Sequence, residues 1–189
     1  MKIKTYVISD LKLFNEEQKD LLGFENFEDM NKYVIYTWNK VVKPDDVVML
    51  MGDIGEGTKE DFQKVFSKLN GKIELINKNF EQQFTRKEWN EIGISGFWRC
   101  SVYKDVPEGR IMYLVDEIEE LNDFNDFILV VLDSNNSIPN FIYSNMLSVE
   151  AIKWGYNPID TSELLTIYQN MKIYEELDVN EETIIEMEE

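Results

Sequence analysis

Val47-Val48-Met49-Leu50-Met51-Gly52-Asp53 is a short apolar run that ends in a glycine and a carboxylate. It follows the turn signal Lys43-Pro44-Asp45-Asp46, so it reads as a strand buried on both faces, as in a parallel sheet. Gly52 lets the chain turn sharply at the strand's carboxyl end, and Asp53 is then presented where open α/β sheets collect their ligands. Two neighbours share this grammar: Tyr6-Val7-Ile8-Ser9-Asp10, and Ile73-Glu74-Leu75-Ile76-Asn77-Lys78-Asn79. Three strands are therefore predicted to deliver Asp10, Asp53 and Asn79 to one edge of one sheet, which is the beginning of a metal site.

Outward from that strand, the chain alternates strand and helix. Residues 2–9 read as the first strand and 12–23 as a loop or short turn of helix. Residues 26–39 carry apolar side chains at Phe27, Met30, Val34 and Trp38, a spacing that makes one helix face. Thr58 reads as an N-cap with Asp61 three residues on, and the helix over 58–69 buries Phe62, Val65, Phe66 and Leu69 before Asn70-Gly71 ends it. The repeated βαβ order predicts a sheet that is parallel in its first half, with right-handed crossovers. Beyond Asn79 the pattern predicts a helix over 85–92, strands over 97–103 and 110–115 across the turn Pro107-Glu108-Gly109, a strand over 127–132, another near 141–144, and a final helix over 161–171. One domain is expected over 1–171, followed by an acidic tail over 172–189. The last fifteen residues hold eight acidic side chains and no basic one, the composition of a solvated end.

Composition narrows the function classes. At 189 residues, with 43% hydrophobic and 13% aromatic content, the chain can bury one good core. No apolar stretch approaches the roughly 20 residues that cross a bilayer, and the N-terminus reads as a strand, so a soluble cytoplasmic protein is expected. The single cysteine, Cys100, excludes an internal disulfide and reads as buried filler. With 37 acidic residues against 19 basic ones the net charge is −18, which repels nucleic-acid backbones and anionic membranes. Such a surface is either a means of solubility or one that seeks a basic partner or imitates a polyanion. The chain has no histidine, so the commonest general base and the commonest transition-metal ligand are both missing.

Strand-Ser9-Asp10, then Phe27 to Trp38, then Val41-Val42-Lys43-Pro44-Asp45-Asp46-Val47 into Gly52-Asp53, then Lys68-Leu69-Asn70-Gly71-Lys72 into Asn79 follow one another in an order that resembles the small calcineurin-like metallophosphoesterases of bacteria and phages. The stretch from Ser148-Val149-Glu150 through Tyr156-Asn157-Pro158-Ile159 resembles the way those proteins close, so the likeness covers roughly residues 1–170. It implies an α/β fold of the calcineurin-like type, a βαβ sandwich with helices on the outer faces. The family's site holds two metal ions through Asp-x-His, Gly-Asp, Gly-Asn-His-Asp/Glu, a lone His and Gly-His-x-His. By the resemblance Asp10 and Asp53 stand at the two aspartates, Asp53 at the metal-bridging position, and Asn79 at the asparagine. Lys12 stands at the first histidine and Lys78-Asn79-Phe80-Glu81 at the third motif, while Asp116 replaces the lone histidine and Ser134-Asn135-Asn136-Ser137 the last motif.

Those replacements decide the expected chemistry. Two divalent cations roughly 3.5 to 4 Å apart need a full shell of donors. Phe80 offers no lone pair and removes the group that would protonate a leaving oxygen. Lys12 would place an ammonium beside Asp10 and Asp53, repelling a metal while pairing with the carboxylates that a metal would neutralise. The expectation is a catalytically inactive metallophosphoesterase-like protein that holds no metal or cofactor and acts as an acidic binding module. Its partner would be a protein with a basic surface, such as a nucleic-acid-binding host protein if the chain is phage-encoded, with Trp89, Phe97, Trp98 and Trp154 as candidate anchors. A DNA mimic is a special case of this reading. The alternative is a divergent, histidine-free phosphodiesterase, in which Asp10, Asp53, Asn79, Asp116, Asp133 and Asn135 would make an all-oxygen shell suited to Mg2+ or Ca2+, with Glu81 and Asp116 as the acid or base.

Overall fold

The computed structural model describes residues 2–77, 79–98, 100–103, 111–115, 127–131, 146–164 and 166. The elements run β1 (Thr5–Ser9), α1 (Glu16–Leu21), α2 (Phe27–Val41), β2 (Val47–Met51), α3 (Lys59–Phe66), β3 (Lys72–Ile76), α4 (Arg86–Ile92), β4 (Ile94–Trp98), β5 (Cys100–Tyr103), β6 (Ile111–Val115), β7 (Phe127–Val131), β8 (Met146–Ser148) and β9 (Ile159–Asp160). They form two sheets, one in the order β4-β3-β2-β1-β9 and one in the order β5-β6-β7-β8. The class is α/β. β1, β2, β3 and β4 are parallel, with Val7 opposite Met49 and Met49 opposite Glu74, and only β9 runs antiparallel. The second sheet is antiparallel between β5 and β6 and parallel from β6 through β8.

The two-residue period of the strands sorts their side chains between two cores. Tyr6, Ile8, Val48, Leu50, Ile73 and Leu75 face the helices, where they meet Met30, Val34 and Trp38 of α2, Phe62, Val65 and Phe66 of α3, and Trp89 and Ile92 of α4. Val7, Met49, Met51 and Ile76 face the other way, against Leu114 of β6 and Leu147 of β8. Both faces of the first sheet are thus covered, which is why β2 reads as an unbroken apolar run. Each fully buried aliphatic or aromatic side chain here contributes about 1.5 to 3 kcal/mol of transfer free energy.

Local chemistry sets the helix ends. Thr58 accepts a hydrogen bond from the Asp61 amide, and the Asp61 carboxylate accepts from Thr58, a full capping box. Thr85 and Glu88 form the same box at the start of α4. Asn26 caps α2 through the amide of Asp29. Lys43-Pro44-Asp45-Asp46 turns as expected, because the buried Asp46 carboxylate accepts from the amides of Lys43 and Lys4.

The later elements depart from expectation. The predicted single strand over 97–103 is two strands, β4 closing one sheet and β5 opening the other. A switch of sheet cannot be read from composition, since both halves are apolar. β8, β9 and a 3-10 turn at Ala151–Trp154 were not anticipated. Helices α2, α3 and α4 all pack on one face of the first sheet; residues 161–164 and 166, within the helix expected over 161–171, are helical, and Leu164 joins the core between the sheets. The strand near 141–144, the turn at 107–109 and the acidic tail over 172–189 lie outside the described residues. No helix among the described residues is long and apolar enough to cross a membrane.

Candidate functional site at the strand ends

The carboxyl ends of β1, β2 and β3 lie side by side, as the parallel register requires. Past β1 the chain continues beside the loop after β2. The Asp10 amide donates to Met51 O at 3.1 Å, the Lys12 amide to Asp53 O at 3.2 Å and the Leu13 amide to Ile54 O at 2.8 Å. Asp10, Lys12 and Phe14 adopt positive φ angles of 51°, 46° and 60°, three alternate left-handed residues that only close neighbours can hold in place. Gly52 turns β2 outward at φ 70°, as expected.

Asp10 is the buried centre of this edge, with 1% of its surface exposed. Its Oδ1 accepts from the Asp53 amide at 3.0 Å, while its Oδ2 is buried without a hydrogen-bond partner, as is the neighbouring Ser9 Oγ. Burial pushes the Asp10 carboxyl up to about 6; the Asp53 amide and the Lys12 cation offset part of this, while the Glu150 and Asp53 charges add to it. Asp53 itself points to solvent, and its Oδ1 accepts from the Gly55 amide at 2.9 Å, closing its own loop. The expected pairing of Lys12 with both aspartates is therefore corrected. Lys12 Nζ makes its ion pair with Glu150, at 3.9 Å from Oε1, and the other Glu150 oxygen lies 3.3 Å from Lys153 Nζ.

Glu150 is the residue that the sequence did not single out. It follows β8, bridges to Ser9 in parallel, and is buried. The Ser9 amide donates to Val149 O at 2.9 Å, which fixes this segment against the end of β1. Beside it Tyr156 is fully buried; its hydroxyl accepts from the buried Gln18 side chain at 2.9 Å and is pushed up to about 12 by burial. A carboxylate following the alternating Leu147-Ser148-Val149 was the available signal for Glu150, but its partner in sequence is far away.

The asparagine assignment also shifts. Asn79 is exposed and lies beyond the strand end, where its amide donates to Asn77 Oδ1 at 2.6 Å. Asn77, next after β3, turns its Nδ2 to Gly52 O at 3.1 Å and so ties two strand ends together. Phe80 does not line the edge. Its ring stacks on Phe97 at 4.7 Å with the Arg86 guanidinium over both rings, and it belongs to the helix-side core. Glu81 is exposed. Asp116, Asp133, Asn135 and Ser137 lie outside the described residues. Of the candidate anchors Trp89 is buried, Trp154 half-buried with its ring N–H on Ser148 O, Phe97 half-buried, and Trp98 49% exposed.

A two-metal centre makes a specific demand on this edge. The orphaned Asp10 Oδ2 is one oxygen donor, but Asp53 faces away and the Lys12 ammonium stands beside Glu150. No group of three or more acidic, cysteine or histidine side chains among the described residues could share an ion. The described residues do not fit a pair of divalent cations.

No family model matches the chain. Over 72 residues, 35% of this chain, it is 35% identical to the uncharacterized protein MJ1445 of Methanocaldococcus jannaschii, and it spans 41% of that relative's length. The fold is shared with the crystal structure of the protein of unknown function AQ665 from Aquifex aeolicus, which superposes with a TM-score of 0.62 at 15% identity over 88% of this chain and 100% of that one.

Proposed function

We propose that this chain is a catalytically inactive protein of the calcineurin-like metallophosphoesterase type, retained as a scaffold that binds a protein partner with a basic surface. The observation that carries the reading is the Lys12–Glu150 pair at the end of β1. A fixed cation occupies the edge that a metal would need, and it already has a carboxylate. The parallel order β3-β2-β1 and the aspartates that follow β1 and β2 support the family resemblance. The net charge of −18 supports a basic partner. Trp98, 49% exposed on the edge strand β4 with its ring N–H on Glu74, has the composition of an interface anchor.

The test is a calorimetric titration of the chelator-stripped protein with Mn2+, Zn2+ and Mg2+, followed by an assay on a generic phosphodiester. Neither binding nor turnover is expected. Micromolar binding with turnover that vanishes in Asp53→Ala would overturn the proposal and favour the histidine-free phosphodiesterase. For the partner, the full chain should retain a basic protein that Trp98→Ser releases. Equal retention by both would remove Trp98 from the interface, and retention of nothing would count against a binding role.

A further inference from the structure

Most of the described lysines are already committed. Lys4 pairs with Asp160, Lys19 with Glu16 and Asp20, Lys59 and Lys87 with Glu91, Lys64 with Asp61, and Lys12 with Glu150. One place differs. On the outer face of α2 a shallow groove of about 500 Å³ is lined by Lys32, Ile35, Tyr36, Asn39, Lys40 and Lys68. Lys32 is shared with Glu28 and Asp29 at the start of the helix, whereas Lys40 and Lys68 have no acidic partner among the described residues. Between them stands Tyr36, 68% exposed. The groove is built rather than incidental. Asn39 donates to Lys68 O at 2.7 Å and accepts from the Asn70 amide at 2.8 Å, and the Trp38 ring N–H donates to Asn70 O at 2.9 Å, so the turn carrying Lys68 is fastened to α2.

We propose that this groove is the docking site of the chain's own acidic C-terminal segment, residues 175–189. The segment has eight carboxylates and no cation, with Ile184, Ile185 and Met187 among them. On a surface rich in carboxylates such a segment is repelled except where cations gather, and here two uncommitted lysines flank an exposed aromatic ring. Position agrees with charge. Glu163, three residues before the last described one, lines a common cleft with Val41, the last residue of α2. From Val41 back to Lys32 the helix rises about 14 Å, at 1.5 Å per residue. Nine residues separate 166 from 175, a chain length of at most about 30 Å, which exceeds the rise from Val41 to Lys32. The carboxylates neutralise Lys40 and Lys68, and the aliphatic side chains cover Tyr36 and Ile35. The inference is independent of the reading of the strand ends.

Zero-length carbodiimide coupling of the full chain, followed by peptide mass spectrometry of the monomer band, tests the contact. The expected products join Lys40 or Lys68 to acidic residues between Glu175 and Glu189. They should disappear in a Lys40→Glu/Lys68→Glu variant whose melting temperature matches the parent. Coupling of the segment to lysines elsewhere, persistence of the same segment's coupling in the charge-reversed variant, or formation of the Lys40 and Lys68 products only in cross-linked dimers would overturn the proposal, the last by assigning the groove to a second copy.

Discussion

Lys12 Nζ lies 3.9 Å from Glu150 Oε1, so a residue just past the first strand and one just past the eighth neutralise each other across the edge where the first sheet presents its aspartates. Both side chains are mostly covered, at 25% and 8% exposure, so their attraction is less screened than that of a surface pair. Removing Lys12 leaves Glu150 with Lys153 alone and takes away the cation that holds Asp10 down. Lys12→Ala should lose about 1 kcal/mol, seen as a fall of about 2 to 4 °C in melting temperature. In a double-mutant cycle, Glu150→Gln should recover part of that loss. An unchanged melting temperature in Lys12→Ala would mean that the pair does not stabilise the fold.

Asp10 supplies a prediction in pH. Its carboxyl is raised from 3.8 to about 6 by burial, so ionising it costs more in the folded than in the unfolded chain. The sign follows: this cost is absent below the unfolded value, grows as pH rises from about 4, and is complete above about 6. Asp10→Asn keeps an oxygen to accept the Asp53 amide and cannot ionise. The variant's stability relative to the parent should therefore rise across that window, by about 3 kcal/mol, and level off above it. Urea unfolding of both proteins at several pH values checks this; a difference that does not change with pH would show that Asp10 titrates normally.

The backbone of the same edge makes a sharper demand. Gly55 sits at φ 133° and bridges to Leu13, and a Cβ there would stand 1.9 Å from the Leu13 carbonyl oxygen. No rotamer change relieves a clash with backbone. Gly55→Ala should cost about 3 kcal/mol or more by separating the loops after β1 and β2. Gly23, at φ 75° with nothing near its absent Cβ, provides the contrast. Gly23→Ala should cost only about 1 kcal/mol of backbone strain, and equal losses in thermal unfolding would refute the clash.

What was legible in the sequence was local. The apolar run ending at Gly52, the Thr58–Asp61 box and the face of α2 each depend on residues within a few positions of one another, and all three stand in the structure. Asp10 and Asp53 reach one edge because parallel register places successive strand ends together. What was illegible depends on the return of the chain. Glu150 and Tyr156 reach the site only because β8 and β9 bring the closing segment back to β1, and both strands are too short to show a period. Phe80 was read as a lost ligand because its spacing from Asn79 matched a motif; its contacts with Phe97 and Arg86 make it a packing residue.

Asn77 and Asn79 are separated by one residue and divide sharply in role. Asn77 makes two ties, donating to Gly52 O at 3.1 Å and accepting from the Asn79 amide at 2.6 Å, and so holds the ends of β2 and β3 in register. Asn79 offers the second tie only its backbone, with its side chain exposed. Truncating Asn77 leaves a half-buried carbonyl and an amide without partners, whereas truncating Asn79 leaves both bonds in place. Asn77→Ala should thus lose about 1 to 2 kcal/mol and Asn79→Ala less than about 0.5 kcal/mol in denaturant unfolding. Amide exchange at Asn79 should quicken in the first variant and stay unchanged at the Gly52 turn in the second. The reverse order of losses would return Asn79 to the strand-end role that its motif position suggested.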